Sequence, residues 1–363
     1  MARNRWDKED GPEKHMGLLQ LVQMLSLLVI FVAGIIIGIA SSPHINRYFD
    51  SLAQFTFTNN IASLKISDDN CTILRTCEKV DCLSMERFVH PDNLTHSMTD
   101  DEGLCPLLPL WERFFKGHDE YFSIYVHTPE DYEFNVSTDS PFYGRKIPSK
   151  DVEWGSISMV DAEKRLLANA LLDFSNERFV LLSESCIPIY KFSIVYKYLI
   201  RSEHSFVESY DAPTRYARGR YNPKMLPYIH QYQWRKGSQW FEIQRNLAVY
   251  IVSDTKFHAI FKKYCRPACY PDEHYIPTYL NMFHGPLNAN RTVTWVDWSV
   301  VAPHPATYDG IDITKGIIQF IRNKGEQCSY NSEMTSVCYL FARKFAPSAL
   351  VPLLNITTTV MGF

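Results

Sequence analysis

The chain has 363 residues, 46% of them hydrophobic and 14% aromatic, with a formal net charge of -3. That composition can bury one large core or two smaller ones, and it excludes a disordered chain. The near-neutral balance excludes the broad basic field of a nucleic-acid binder, so any functional cations are local ones.

The first organised feature in chain order is Leu18 to Ala40, "LLQLVQMLSLLVIFVAGIIIGIA", which carries no charge. Its length suits a bilayer-spanning helix. A cleaved signal peptide would have a shorter apolar part and a small-x-small site, which Ala40-Ser41-Ser42 offers only weakly. Arg3, Arg5, Lys8 and Lys14 precede the span, and only Arg47 follows closely. The positive-inside rule then puts residues 1–17 in the cytosol as a tail, makes 18–40 an uncleaved signal-anchor, and carries the rest across the membrane. This is type II topology.

Two further features agree with a lumenal body. Sequons at Asn70, Asn93, Asn135, Asn290 and Asn355 all lie beyond the anchor. So do all nine cysteines, as expected where disulfides persist. The odd count leaves at least one thiol unpaired or bonded to a second chain, as in a disulfide-linked dimer. Zinc is a poor reading of their spacing, and connectivity does not follow from order alone. Residues 41–105, polar and rich in Ser, Thr, Asn and Asp, read as a stem.

From residue 106 to 363 the pattern becomes that of one globular α/β domain. "YFSIYVH" (121–127), "RFVLLSES" (178–185) and "HSFVES" (204–209) predict buried strands. "SMVDAEKRLLANALLD" (158–173) predicts an amphipathic helix opened by Ser158, with Asp161 completing a capping box. Strands separated by helices predict a mostly parallel central sheet flanked by helices, whose ligands gather outside the strands' carboxyl ends. His127, Ser183, Glu184 and Glu208 fall at such ends.

The segment "CYPDEHYIPTYL" (269–280) sets Asp272 and Glu273 behind a proline. Acids there suit the start of a helix, whose free N–H groups favour negative charge. A carboxylate held at the edge of a pocket also serves as a general base. A hydrolase acid pair is the poorer third reading, since sequence neighbours rarely flank one bond at the required separation. A lumenal, anchored α/β domain with a stem suits glycan processing, and sugar transfer from a nucleotide needs a base and positive charge for the departing diphosphate. Many such enzymes supply that charge through a metal on Asp-x-Asp, which is missing here. Arg and Lys are the alternative.

Six blocks in order carry a resemblance over about residues 105–350: "YVHTPEDY", "EWGSISMVDAEKRLLANAL", "FVLLSESCIPI", "WRKGSQWFEIQRNLA", "YPDEHYIPT" and "CYLFARKFAP". Together they resemble the Core-2/I-branching β-1,6-N-acetylglucosaminyltransferase family, in its plant branch. The resemblance implies a Golgi type II protein with a GT-A-like nucleotide-sugar fold. It further implies inverting transfer from a UDP-sugar to a glycan or glycoprotein acceptor, with no metal or other cofactor.

Carried over by position, the resemblance makes Glu273 the base and Lys344 a contact to the donor diphosphate. Arg322 shares that contact, with Lys324 or Arg343 as substitutes, and His127 joins the donor side. Glu208 becomes an acceptor-binding acid, and Trp295, with Trp298, an aromatic wall for the sugar. Cys328 and Cys338 are implied as a disulfide. Glu184 and Cys186 depart from the animal pattern near the sugar site, which leaves the donor sugar open. Arg215, Arg218, Arg220 and Lys224 read either as a site for an acidic ligand or as a solvated loop. The competing class is a Golgi-tethered lectin that kept the fold and lost turnover.

Overall fold

The computed structural model describes residues 105–266, 268–300, 304–323 and 325–363. The expected anchor, most of the stem, Asn70, Asn93 and three cysteines (Cys71, Cys77, Cys82) lie outside them. Among the described residues no helix is long and apolar enough to cross a membrane.

The body is mixed α/β, organised around two apolar cores. The first gathers α1 (Leu108–Phe115), β2 (Ile187–Pro188), α3 (Phe192–Arg201), β4 (Thr294–Val296), α7 (Lys315–Arg322), β7 (Phe341–Arg343) and α8 (Leu350–Ile356) around Trp111, Phe114, Ile187, Phe192, Trp295 and Phe341. The second packs α2 (Ile157–Leu171), β1 (Arg178–Val180), β3 (Glu242–Gln244), α4 (Arg245–Ser253), α5 (Lys256–Tyr264) and α6 (Tyr275–Phe283) around Leu167, Leu247, Ile251, Phe261, Tyr275 and Leu280. A small hairpin, β5 (Cys328–Tyr330) with β6 (Glu333–Thr335), completes the elements.

The sheet is not the mostly parallel one expected. Strand β1 pairs antiparallel with β3, and β7 pairs antiparallel with β2 but parallel with β4. The segments 121–127 and 204–209 form no continuous strand and make only single-residue bridges: Val126 to Lys146, Ser205 to Asn288 and Phe206 to Glu242. The reason is physical. An apolar β-branched run specifies that a segment is extended and buried, whereas the direction of its neighbour is set by tertiary packing. Phe122 and Ile124 pack against the first core without a continuous ladder.

Helix α2 is where the spacing puts it, shifted by a residue at its start. Its cap is Ser156, whose hydroxyl accepts from the Ser158 N–H at 3.2 Å, rather than Ser158. Asp161 instead pairs with His258, 2.6 Å away, and takes no part in a capping box. Asp272 and Glu273 form a short 3-10 turn (Pro271–Glu273) ahead of α6, and no side chain caps either element.

Candidate active site

A cleft of about 2230 Å3 runs between the two cores, and the segment ahead of α6 forms part of its wall. Cys265 and Cys269 are joined as a disulfide at the end of α5. Tyr270 follows with φ 55°, in the left-handed region that costs a non-glycine residue about 1–2 kcal/mol. Its ring is held between the Arg220 guanidinium, 4.2 Å from the centroid, and the Trp154 ring at 5.0 Å. Gly155 sits beneath it, where a Cβ would come within 3.1 Å of the ring. Both of the next two residues line the cleft, Asp272 more deeply buried, 8% exposed, and Glu273 with its side chain 23% exposed.

One oxygen of Glu273, Oε2, accepts from Arg220 Nη1 at 2.5 Å and lies 3.0 Å from Lys236 Nζ. Oε1 has no hydrogen-bond partner among the described residues. The backbone is fixed as well, because Gly237 N–H donates to the Glu273 carbonyl at 2.8 Å. A Cβ at Gly237 would lie 1.9 Å from the Glu208 carbonyl oxygen, so only glycine fits between the two acids. Glu208 lines the same cleft. Burial, and then the Glu273 charge, raise its proton affinity, while Lys236 opposes them. Burial pushes Asp272 up to about 6, with Glu273 adding to it.

His274 points away from the chemistry. It is fully buried, stacked on Trp234 at 4.5 Å, and its Nδ1–H donates to the Arg235 carbonyl at 2.7 Å. Burial lowers its pKa to about 3, so it stays neutral.

Lys344, which follows β7, lines the same cleft. Its main chain is tied by Tyr308 N–H to its carbonyl at 2.8 Å, and its ammonium has no partner among the described residues. Arg343 lies beside it over Trp240, 4.1 Å from the ring centroid, with Nε buried and unpartnered. His127 also lines the cleft, and its Nε2 accepts from Arg165 at 2.9 Å, which leaves the ring proton on Nδ1. Burial, followed by Arg165 and Lys146, lowers its pKa to about 4.

Two of the residues carried over by position stand elsewhere. Arg322 does not line the cleft: its Nε donates to the Ile189 carbonyl at 2.6 Å, Nη1 to Val360 at 2.7 Å, and Nη2 again to Ile189. Trp295 is 4% exposed in the first core, whereas Trp298, 57% exposed, does line the cleft. Both displacements have the same origin, since an Arg or Trp in a loosely aligned segment serves packing as readily as a ligand. Lys324 lies outside the described residues.

Of the basic run, Arg220 alone lines the cleft. Arg218 is paired with Asp211 at 2.6 Å on the surface, and Arg215 and Lys224 are exposed. Cys328 and Cys338 are bridged. Asn135, Asn290 and Asn355 are exposed. Cys105 and Cys186 are free thiols, both raised by burial, Cys105 to about 11.

Residues 97–322 match the family model described as Core-2/I-Branching enzyme. The chain belongs to that family. It is also 37% identical over 298 residues to "Glycosyltransferase BC10" of Oryza sativa subsp. japonica, an overlap covering 69% of this chain and 73% of the relative. Membership makes this protein a glycosyltransferase, and with it come a nucleotide-sugar donor and a glycan acceptor. The site has the parts such a reaction uses: a carboxylate oxygen without a protein partner among the described residues, further cations lining the same cleft, and aromatic side chains beside them. Lys236 and Tyr270 escaped the sequence reading because nothing in a linear pattern marks a lysine or tyrosine that folding brings to a carboxylate. The basic run did flag Arg220, among four cations of equal standing.

Proposed function

We propose that the enzyme is an inverting, metal-independent transferase that moves a sugar from a UDP-sugar to a glycan hydroxyl, with Glu273 as general base. The observation that carries this reading is the asymmetry of the Glu273 carboxylate, with Oε2 held by Arg220 and Lys236 and Oε1 open to the cleft. Oε1 takes the acceptor hydroxyl's proton as that oxygen bonds to the anomeric carbon. The bond from that carbon to the diphosphate breaks on the opposite face, and its electron pair leaves with the nucleotide, so configuration inverts. Lys344 and Arg343 face the charge that develops on the diphosphate, the role side-chain cations take where no metal serves. Glu208 and Trp298 serve the acceptor sugar, and His127 the donor side. Residues 18–40 anchor the enzyme in the Golgi membrane with this body in the lumen, as the basic residues ahead of the span favour.

The test is Glu273→Gln, which keeps size and removes basicity. Turnover should fall on the order of 10² to 10⁴-fold in a nucleotide-release assay run over a panel of UDP-sugars, with donor affinity nearly unchanged. A Glu273→Gln enzyme that turns over normally would sink the assignment. Activity should survive a strong chelator; loss restored by manganese would show that a metal carries the diphosphate charge. Lys344→Ala should raise the donor KM and lower kcat, by a few kcal/mol in all as for other lost charge-stabilising donors.

A further inference from the structure

Two acids near the base each have one buried carboxyl oxygen without a partner. Glu163, on α2, is 2% exposed, and its Oε1 accepts from Gln239 Nε2 at 3.1 Å. Its Oε2 is buried without a partner, and so is Oδ1 of Asp272. Both residues line the cleft, as does Gln239. Their position next to the base is fixed by the chain: Asp272 precedes Glu273, and Gln239 is two residues beyond Gly237, whose N–H holds the Glu273 carbonyl.

We infer that Glu163 and Asp272 form a second subsite behind Glu273, which accepts hydrogen bonds from neighbouring hydroxyls of one pyranose. The inference rests on the transfer reading above. Its physical basis is that a buried carboxyl oxygen without a donor is costly, and two adjoining ones are more so. The burial and mutual repulsion that raise the proton affinity of Glu163 are the marks of that cost. A protein keeps such a pair where function repays it, since replacing it would raise stability. The missing partners are hydrogen-bond donors, and the molecules that enter this cleft present them as sugar hydroxyls. A cation does not suit the place, because among the described residues no three acid, His or Cys side chains converge to hold one. Gln239 keeps Glu163 in register, which gives the unpartnered oxygen a fixed direction.

The sugar concerned is either the donor's or the acceptor's, and the experiment separates them. Glu163→Gln keeps the size and the Gln239 contact but turns the unpartnered acceptor atom into an N–H donor. With the full-length enzyme in detergent, calorimetric titrations use UDP, UDP-glucose, UDP-galactose and UDP-N-acetylglucosamine, and initial rates give the acceptor KM. UDP should bind the variant as it binds the wild type, and the melting temperature should be equal or higher. If the donor sugar occupies the subsite, the advantage of the preferred UDP-sugar over UDP falls on the order of tenfold. If the acceptor sugar does, that advantage persists and the acceptor KM rises by a similar factor. An unchanged advantage together with an unchanged KM overturns the subsite alone. A fall in every affinity, UDP included, with a lower melting temperature makes Glu163 a structural residue and likewise overturns it. A wild type that binds no UDP-sugar overturns the UDP-donor reading and the subsite with it. Glu163→Met, which removes the polar atoms altogether, should reproduce the selective loss.

Discussion

Replacing Asp272 by Asn should make the enzyme more stable, and more so as pH rises. In the unfolded chain this carboxyl titrates near its ordinary value of 3.8, whereas in the folded protein burial and the Glu273 charge push it up to about 6. Between those values the native state holds a proton that the unfolded state has released. Stability from this group is therefore lost as pH climbs through the window and stays lost above it. A gap of roughly two units at 1.36 kcal/mol each gives about 3 kcal/mol at neutral pH. Asparagine carries no titrating proton, so Asp272→Asn should gain up to that amount at pH 7.5 and almost nothing at pH 3.5. Urea unfolding followed by tryptophan fluorescence, with wild type and variant compared at pH 3.5, 5, 6 and 7.5, measures the difference directly. A difference that does not vary with pH, or a variant that loses stability as pH rises, would show that Asp272 is ionised at no cost in the native protein.

Other substitutions separate structural residues from residues that meet ligand. Arg322→Ala strands the Ile189 and Val360 carbonyls, so it should cost roughly 2–4 kcal/mol of unfolding free energy while the donor KM of the folded enzyme stays the same. Trp295→Ala opens the first core and should cost about 3–5 kcal/mol. Trp298→Ala, at an exposed position on the cleft, should change stability by less than about 0.5 kcal/mol and raise the acceptor KM severalfold; an unaltered KM would remove Trp298 from the acceptor wall.

The helix over 157–171 was legible because its apolar spacing and serine-rich start are local properties. Strand direction was not, as Phe206 shows: its neighbours decide that it bridges Glu242 antiparallel while the adjacent Ser205 bridges Asn288 parallel. The block order brought out Glu273 and Lys344, which the structure puts on one cleft. It could not distinguish Trp295 from Trp298, three residues apart, because only the fold shows that Trp295 sits in β4 against β7 while Trp298 lies past the strand's end. The partners of Glu273 come from residues 220 and 236, about 53 and 37 positions earlier in the chain. Contacts of such separation leave no periodic trace.

Gly237 carries a consequence for how this enzyme could change its acceptor. It joins the backbones of Glu208 and Glu273 with no room for a side chain, so the span between these acids is set by main-chain geometry alone. The mostly exposed loop at 211–219 lies outside that joint and reaches the cleft through Tyr216. Its exposed residues, Thr214, Arg215 and Tyr216 among them, can vary one substitution at a time without disturbing the distance on which proton removal depends. The loop is where the specificities of related chains should diverge, and the glycine is where they should not.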